Sequence, residues 1–319
     1  MVIEIRDFLA EYPHQTPVSE RQGLAEAIAE VKQRRRAVIL AHNYQLPEVQ
    51  EIADFVGDSL ELSRKAAATE AEVIVFCGVH FMAQTAKLLS PQRPVLLPDL
   101  EAGCPMADMI DVEGVLALRE QYPGCPVVAY VNTTAEVKAH SDICCTSANS
   151  VKVVESLEAD EILFIPDRYL AHWTQRQTSK RIIAYQGFCP THALMTAEMI
   201  RQARQEHPEA VVMCHPECPP EVCDEADVVA STSGMIRAAA ERPEKEFVVA
   251  TEWGLAARTA REHPDKLFFI FPEAVCPNMK KITLSKVLAS LRDMSGAIEL
   301  EEDVISAARQ SVERMLALP

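Results

Sequence analysis

Short, continuous apolar runs alternate with helical stretches along the chain, and the runs fall into three matched sets. The first set is Ala37-Val38-Ile39-Leu40-Ala41-His42-Asn43, Pro126-Val127-Val128-Ala129-Tyr130-Val131-Asn132 and Ala210-Val211-Val212-Met213-Cys214-His215, each ending in polar residues. The second is Glu72-Val73-Ile74-Val75-Phe76, Glu161-Ile162-Leu163-Phe164-Ile165 and Glu246-Phe247-Val248-Val249-Ala250. The third is Val95-Leu96-Leu97, Ile182-Ile183-Ala184-Tyr185 and Leu267-Phe268-Phe269-Ile270-Phe271, and a Cys-Pro pair follows each. Runs without polar alternation are what strands buried on both faces require, so they predict parallel sheets covered by helices. Between the first and second runs of each set lie Glu48-Val49, Glu136-Val137 and Glu221-Val222, then Asp54, Asp142 and Asp227. Five residues after each aspartate stands a hydroxyl: Ser59, Ser147, Thr232. The order strand, loop, helix, strand, loop, helix, strand, cysteine is written three times.

The expected fold is therefore α/β: three pseudo-symmetric repeats, each a small parallel sheet flanked by helices, around a central site. The cysteines of the repeated pair, at 104, 189 and 276, are 85 and 87 residues apart. The first unit is expected over 1–106, the second over 107–191 and the third over 192–319. Two tail helices, from about Thr283 to Leu318 with Gly296 between them, are expected to pack back on the first unit. Near the start, Ser19-Glu20-Arg21-Gln22 reads as a capping box opening an amphipathic helix with Leu24, Ala27, Ile28 and Val31 on one face. The basic run from Lys32 to Arg36 suits that helix's carboxyl end.

A net charge of −16 over 319 residues excludes nucleic acid and anionic membrane as natural partners, so an anionic substrate has to be held by local features. Met1-Val2-Ile3-Glu4 opens no secretory signal and no run approaches a membrane span, which leads to the expectation of a cytoplasmic protein. Ten cysteines then read as thiols or metal ligands, not as a disulfide framework.

In parallel sheets of this kind, ligands collect at the carboxyl ends of the strands, where the repeated cysteines fall. Ten cysteines and twenty prolines would meet by chance about 0.6 times, yet the chain has five Cys-Pro pairs, and periodicity narrows these to Cys104, Cys189 and Cys276. Structural zinc normally takes four ligands, often in paired C-x-x-C knuckles, and the chain has no C-x-x-C. Three thiolates, one per unit, suit a [4Fe-4S] cluster with one iron left open to act on a substrate oxygen. The denser Cys214, Cys218 and Cys223 sit in one loop of one unit and read as unligated thiols; Cys144-Cys145, Cys77 and Cys125 read as packing. His42, Tyr44, Asn132, His215 and Glu217 lie in the strand-to-helix loops that face the junction. Ser59, Ser147 and Thr232 have a plain reading as helix N-caps and a sharper one as anion-binding hydroxyls at helix N-termini.

The segments Ala41-His42-Asn43-Tyr44-Gln45, Gly57-Asp58-Ser59, Gly103-Cys104-Pro105-Met106-Ala107, Gly187-Phe188-Cys189-Pro190-Thr191-His192, His215-Pro216-Glu217-Cys218, Ser231-Thr232-Ser233-Gly234-Met235 and Cys276-Pro277-Asn278-Met279 together resemble the quinolinate synthase family, in the family's order. The resemblance implies condensation of iminoaspartate with dihydroxyacetone phosphate to quinolinate for NAD synthesis, with loss of phosphate and two waters. It implies a [4Fe-4S] cofactor on Cys104, Cys189 and Cys276. It also implies acid, base and substrate-binding roles among His42, Tyr44, Ser59, Tyr130, Asn132, Ser147, His192, His215, Glu217 and Thr232, with possible coupling to L-aspartate oxidase. Some members carry C-x-x-C-x-x-C ending at the third ligand; here those earlier positions are Ile270 and Glu273, so a disulfide switch there is not expected. Two other classes remain open at this point: an aconitase-like hydro-lyase, which would be expected to cluster its ligands, and a non-catalytic iron–sulfur carrier, which would not need the His/Tyr/Glu lining.

Overall fold

A computed structural model describes residues 1–12 and 16–318. Strand β1 (Ile3–Glu4) precedes three sheets of like design. The first holds β2 (Ala37–His42), β3 (Phe55–Gly57), β4 (Val73–Cys77) and β5 (Val95–Leu96), ordered β3-β2-β4-β5. The second holds β6 (Val127–Tyr130), β7 (Ile143–Cys145), β8 (Glu161–Ile165) and β9 (Arg181–Ala184), ordered β7-β6-β8-β9. The third holds β10 (Val211–Cys214), β11 (Val228–Val229), β12 (Glu246–Ala250) and β13 (Leu267–Ile270), ordered β11-β10-β12-β13, with β1 added antiparallel at its edge. All other pairings are parallel, and the strand order is the same in each unit. The α/β triplication expected from the apolar runs is the observed architecture. Because β1 pairs with β13, the N-terminal strand lies on the third sheet, not the first.

The short strands β3, β7 and β11 were not legible as strands, since two or three residues carry no period. The aspartate before each explains how they are held. Asp54, Asp142 and Asp227 accept the backbone N–H of Ile39, Val127 and Val212 at 2.8, 2.7 and 2.8 Å. Each also pairs with a cation, Lys32, Arg119 and Arg204 in turn, at 2.6, 2.8 and 2.9 Å. The aspartate therefore latches the edge strand to the first strand of its unit in all three cases.

A second threefold device holds the loops after β2, β6 and β10. The residue following each Glu-Val pair reaches back five positions to a loop carbonyl. Gln50 donates to Gln45 at 3.1 Å, Lys138 to Thr133, and the Cys223 thiol makes a longer 3.7 Å contact with Cys218. Three different side chains do the same work, so no residue-type motif marks the position.

The first long helix, Val18–Arg35, starts one residue before Ser19 and has Pro17 at its N-cap with no side-chain cap bond, so the expected capping box does not form. Its basic end is occupied: Arg35 donates to the carbonyls of Leu291 and Arg292, tying down the tail helix Leu284–Asp293. The last helix, Glu302–Leu316, runs beside the short helix Ala135–Ala139 and β7, with Ser311 donating to the Lys138 carbonyl at 2.9 Å. The tail thus reaches the second unit as well as the first.

Candidate active site

One cavity at the junction of the three units is lined by His42, Tyr44, Ser59, Cys104, Tyr130, Asn132, Ser147, Cys189, His192, His215, Glu217, Thr232 and Cys276. These are all of the residues singled out in the sequence as candidate site residues, brought together from positions up to 234 apart in the chain.

The cysteines arrive by one repeated piece of backbone. After each Cys-Pro the chain makes a single 3₁₀ turn, Ala107–Met109, His192–Leu194 and Met279–Lys281. In each, the cysteine carbonyl accepts an N–H four residues on: Asp108 at 3.3 Å, Ala193 at 2.9 Å and Lys280 at 3.3 Å. Burial pushes the Cys104 thiol up to about 12 and raises Cys189 and Cys276 as well, and a neighbouring thiol of the trio adds to the rise in Cys104 and Cys189. Three thiols around one cavity, each kept from ionising by burial, are a poor arrangement for the protein alone and a good one for a cationic, soft metal group that takes them as thiolates. The donor set therefore fits an iron–sulfur cluster. Cys214, Cys218 and Cys223 instead pack with Ile200, Val212, Val248 and Phe271 in an apolar cluster of the third unit, and Cys77, Cys144 and Cys145 are buried in the main core.

Beside the Cys189 thiol stands a polar network centred on Glu217. Tyr130 donates its hydroxyl to one carboxylate oxygen of Glu217. His192 Nδ1 lies 2.8 Å from the other, close but off the line of a good hydrogen bond. Burial alone would raise the Glu217 pKa; His215, His192 and the Tyr130 hydroxyl overcome it and hold the group down at about 2, a carboxylate at neutral pH. Cys189 Sγ, a His192 nitrogen and a Glu217 oxygen lie within 4.8 Å of one another, so carboxylate and thiol share one space.

His42 and His215 are set in the same way. The N–H of Tyr44 donates to Nδ1 of His42 at 3.2 Å, and that of Glu217 to Nδ1 of His215 at 3.3 Å. A neutral ring so placed carries its proton on Nε2, which in His215 faces the Ser147 hydroxyl at 3.2 Å. Burial, aided by a second histidine, lowers each to about 3, so both rings are neutral near pH 7.

The three hydroxyls are not N-caps. Asp58 and Ser231 cap the helices Ser59–Ala68 and Thr232–Glu241, leaving Ser59 and Thr232 in the first turn, while Ser147 stands ahead of a helix capped at Asn149. Asp58 and Ser231 make the side-chain cap bonds and Asn149 makes none, and Ser59, Ser147 and Thr232 all line the cavity. Thr232 accepts from Asn43 at 2.8 Å, and Ser233 donates to Glu61 at 2.6 Å, joining the two helix starts across units. The Asn132 side-chain oxygen is buried and has no partner among the described residues.

Sequence reasoning missed three residues. Thr251 bridges Tyr44 and His192 at 2.6 and 2.8 Å. Glu252, fully buried, accepts from Lys280 at 2.8 Å and from the Cys276 N–H at 3.4 Å. Lys280 also donates to the Tyr44 carbonyl at 2.5 Å and sits 3.6 Å from the centre of the Trp253 ring. The available signal was the polar pair Thr251-Glu252 directly after an apolar strand, the same place that yields site residues after β2, β6 and β10.

Fold and cavity define a triplicated parallel α/β protein with a thiol-lined, acid/base-equipped site at its three-way junction. Residues 26–317 match the family model described as quinolinate synthetase A protein. The chain is 54% identical over 297 residues to a quinolinate synthase of Dehalococcoides mccartyi strain CBDB1, covering 93% of this chain and 98% of that protein. It is 52% identical over 295 residues to a quinolinate synthase of Thermodesulfovibrio yellowstonii, covering 92% and 97%. With quinolinate synthase 1 of Methanosarcina acetivorans it shares 49% over 300 residues, covering 94% and 99%. The chain belongs to the quinolinate synthase family. No helix among the described residues is long and apolar enough to cross a membrane.

Proposed function

We propose that this chain condenses iminoaspartate with dihydroxyacetone phosphate, releasing phosphate and water to give quinolinate for NAD synthesis. The observation that carries this reading is the meeting of Cys104, Cys189 and Cys276 with Tyr44, Tyr130 and Glu217 in one cavity. A non-catalytic carrier has no use for the second group. Cys104, Cys189 and Cys276 would hold a [4Fe-4S] cluster, which when bound supplies a Lewis acid for loss of hydroxide, a poor leaving group.

The remaining work falls to the chain's own side chains. Ser59, Ser147 and Thr232 bind the phosphate and carboxylate groups, helped at Ser59 and Thr232 by N–H groups of two ten-residue helices. These are local anion contacts, as a chain of charge −16 requires. The Asn132 amide orients a substrate polar group. Glu217, already a carboxylate, takes the proton beside the triose carbonyl, and Tyr130, bonded to it, returns a proton to a departing or newly formed oxygen. His215 and His42, neutral with Nε2–H toward the site, donate without adding charge.

The test is an anaerobic assay on iron-loaded protein with dihydroxyacetone phosphate and iminoaspartate formed in situ. Quinolinate formation is expected. Iron-replete protein that forms none, yet dehydrates a hydroxy acid or only cycles electrons, would establish the hydro-lyase or the carrier instead.

A further inference from the structure

We propose that Thr251 is a positioning residue of the site, one whose hydroxyl holds the Tyr44 hydroxyl and the His192 ring in place at the cavity. The inference rests on the reading of the cavity as the quinolinate-forming site. Thr251 follows β12 directly, is fully buried, and its hydroxyl lies 2.6 Å from Tyr44 Oη and 2.8 Å from His192 Nε2.

Tyr130 occupies one oxygen of Glu217, and the other faces His192 Nδ1 at 2.8 Å. The far edge of the His192 ring is held by Thr251, 2.8 Å from Nε2, where Tyr44 Oη is farther, at 3.5 Å. A threonine hydroxyl both donates and accepts, so this one side chain serves two partners at once. It sets where the Tyr44 hydroxyl and the His192 ring edge stand in the cavity they both line.

The symmetry of the fold separates this role from a structural one. Aligned on Glu72, Glu161 and Glu246, the positions equivalent to Thr251 hold Cys77 and Pro166. Neither supplies a hydroxyl, so the unit folds without one. The next position, by contrast, caps a helix in both the second and third units, through Asp167 and Glu252. The hydroxyl belongs to the site.

Thr251→Val keeps the branched shape and removes the hydroxyl; Thr251→Ser keeps the hydroxyl. In anaerobically prepared protein with full iron content, Thr251→Val is expected to lower kcat about tenfold to hundredfold with a KM change below about threefold, the scale of one lost buried hydrogen bond. Thr251→Ser is expected within about threefold of wild type. Normal turnover in Thr251→Val, or equal damage in Thr251→Ser, overturns the proposal. A crystal structure of Thr251→Val gives a readout independent of turnover, with the Tyr44 or His192 ring expected to rotate or a water to take the hydroxyl's place. Unmoved rings with no such water overturn the proposal even if the wild-type chain forms no quinolinate, whereas that failure by itself would count against the functional reading.

Discussion

Tyr130 donates its hydroxyl to Glu217, and this bond carries the second unit's tyrosine to the third unit's carboxylate across the centre of the cavity. Neither side chain is exposed: Tyr130 is 4% and Glu217 4% accessible. Two groups so joined act as one. Glu217→Gln is expected to keep the iron and the fold while losing a general-base factor of about 10²–10⁴ in turnover. Tyr130→Phe should cost nearly as much, and the double variant little more than either alone. Losses that multiply in the double variant, measured by steady-state kinetics, would mean that the two act independently.

The loop tethers make a different prediction. Lys138 has its Nζ buried against Thr133 with no carboxylate partner among the described residues, and Gln50 does the equivalent job as an amide. Lys138→Gln is therefore expected to hold the Asn132 loop and leave KM within about threefold, whereas Lys138→Met leaves a buried carbonyl unpaired and raises KM about fivefold to fiftyfold. Burial also lowers the Lys138 pKa from 10.5 to about 8. Between those values the unfolded chain holds a proton that the folded chain has released, so wild-type stability relative to Lys138→Gln rises with pH across that window. Urea midpoints of the two proteins from pH 7.5 to 10 that stay parallel would contradict this.

Glu252, fully buried, and Lys280, its side chain nearly so, form an ion pair behind the third cysteine. Breaking such a pair leaves one charge without a partner in a dry interior, so Lys280→Met should destabilise the chain by about 3–5 kcal/mol. Adding Glu252→Gln should recover much of that loss, because the orphaned charge is then gone. A double variant as unstable as Lys280→Met in urea titration would point to packing against Trp253, not to charge.

Much of the architecture was legible because the chain repeats itself. Apolar runs fixed the long strands, and the recurring aspartates and Cys-Pro pairs marked equivalent places before any contact was known. What the aspartates do, latching edge strands to Ile39, Val127 and Val212, could not be read, since a carboxylate's acceptor role depends on which N–H folding brings beside it. Thr251, Glu252 and Lys280 were missed for a related reason. Thr251 and Lys280 each find Tyr44 of the first unit, and Glu252 finds Lys280 only when the third unit closes, so no local pattern marks any of them. The three hydroxyls erred the other way: near each helix start, Ser59, Ser147 and Thr232 resemble caps, but Asp58 and Ser231 take that role for two and Asn149 stands at the cap position of the third.

If the aspartate latches hold the edge strands, Asp142→Ala should cost about 1–3 kcal/mol by freeing the Val127 N–H, with Asp54→Ala and Asp227→Ala alike. The same changes should leave the iron content untouched, since none of the three aspartates lines the cavity. Denaturant midpoints that do not move would reduce the latches to surface ion pairs, worth about 0–1 kcal/mol.

The central claim is that one cysteine from each unit, and no other, holds the metal group. Iron and acid-labile sulfide counted on anaerobically purified protein test it most directly. The wild type is expected to carry about four irons per chain. Cys104→Ser, Cys189→Ser and Cys276→Ser should each lose the cluster or its activity, and Cys214→Ser, Cys218→Ser and Cys223→Ser should keep both. Full iron and activity in one of the first three, or loss of iron in one of the second, would contradict the account.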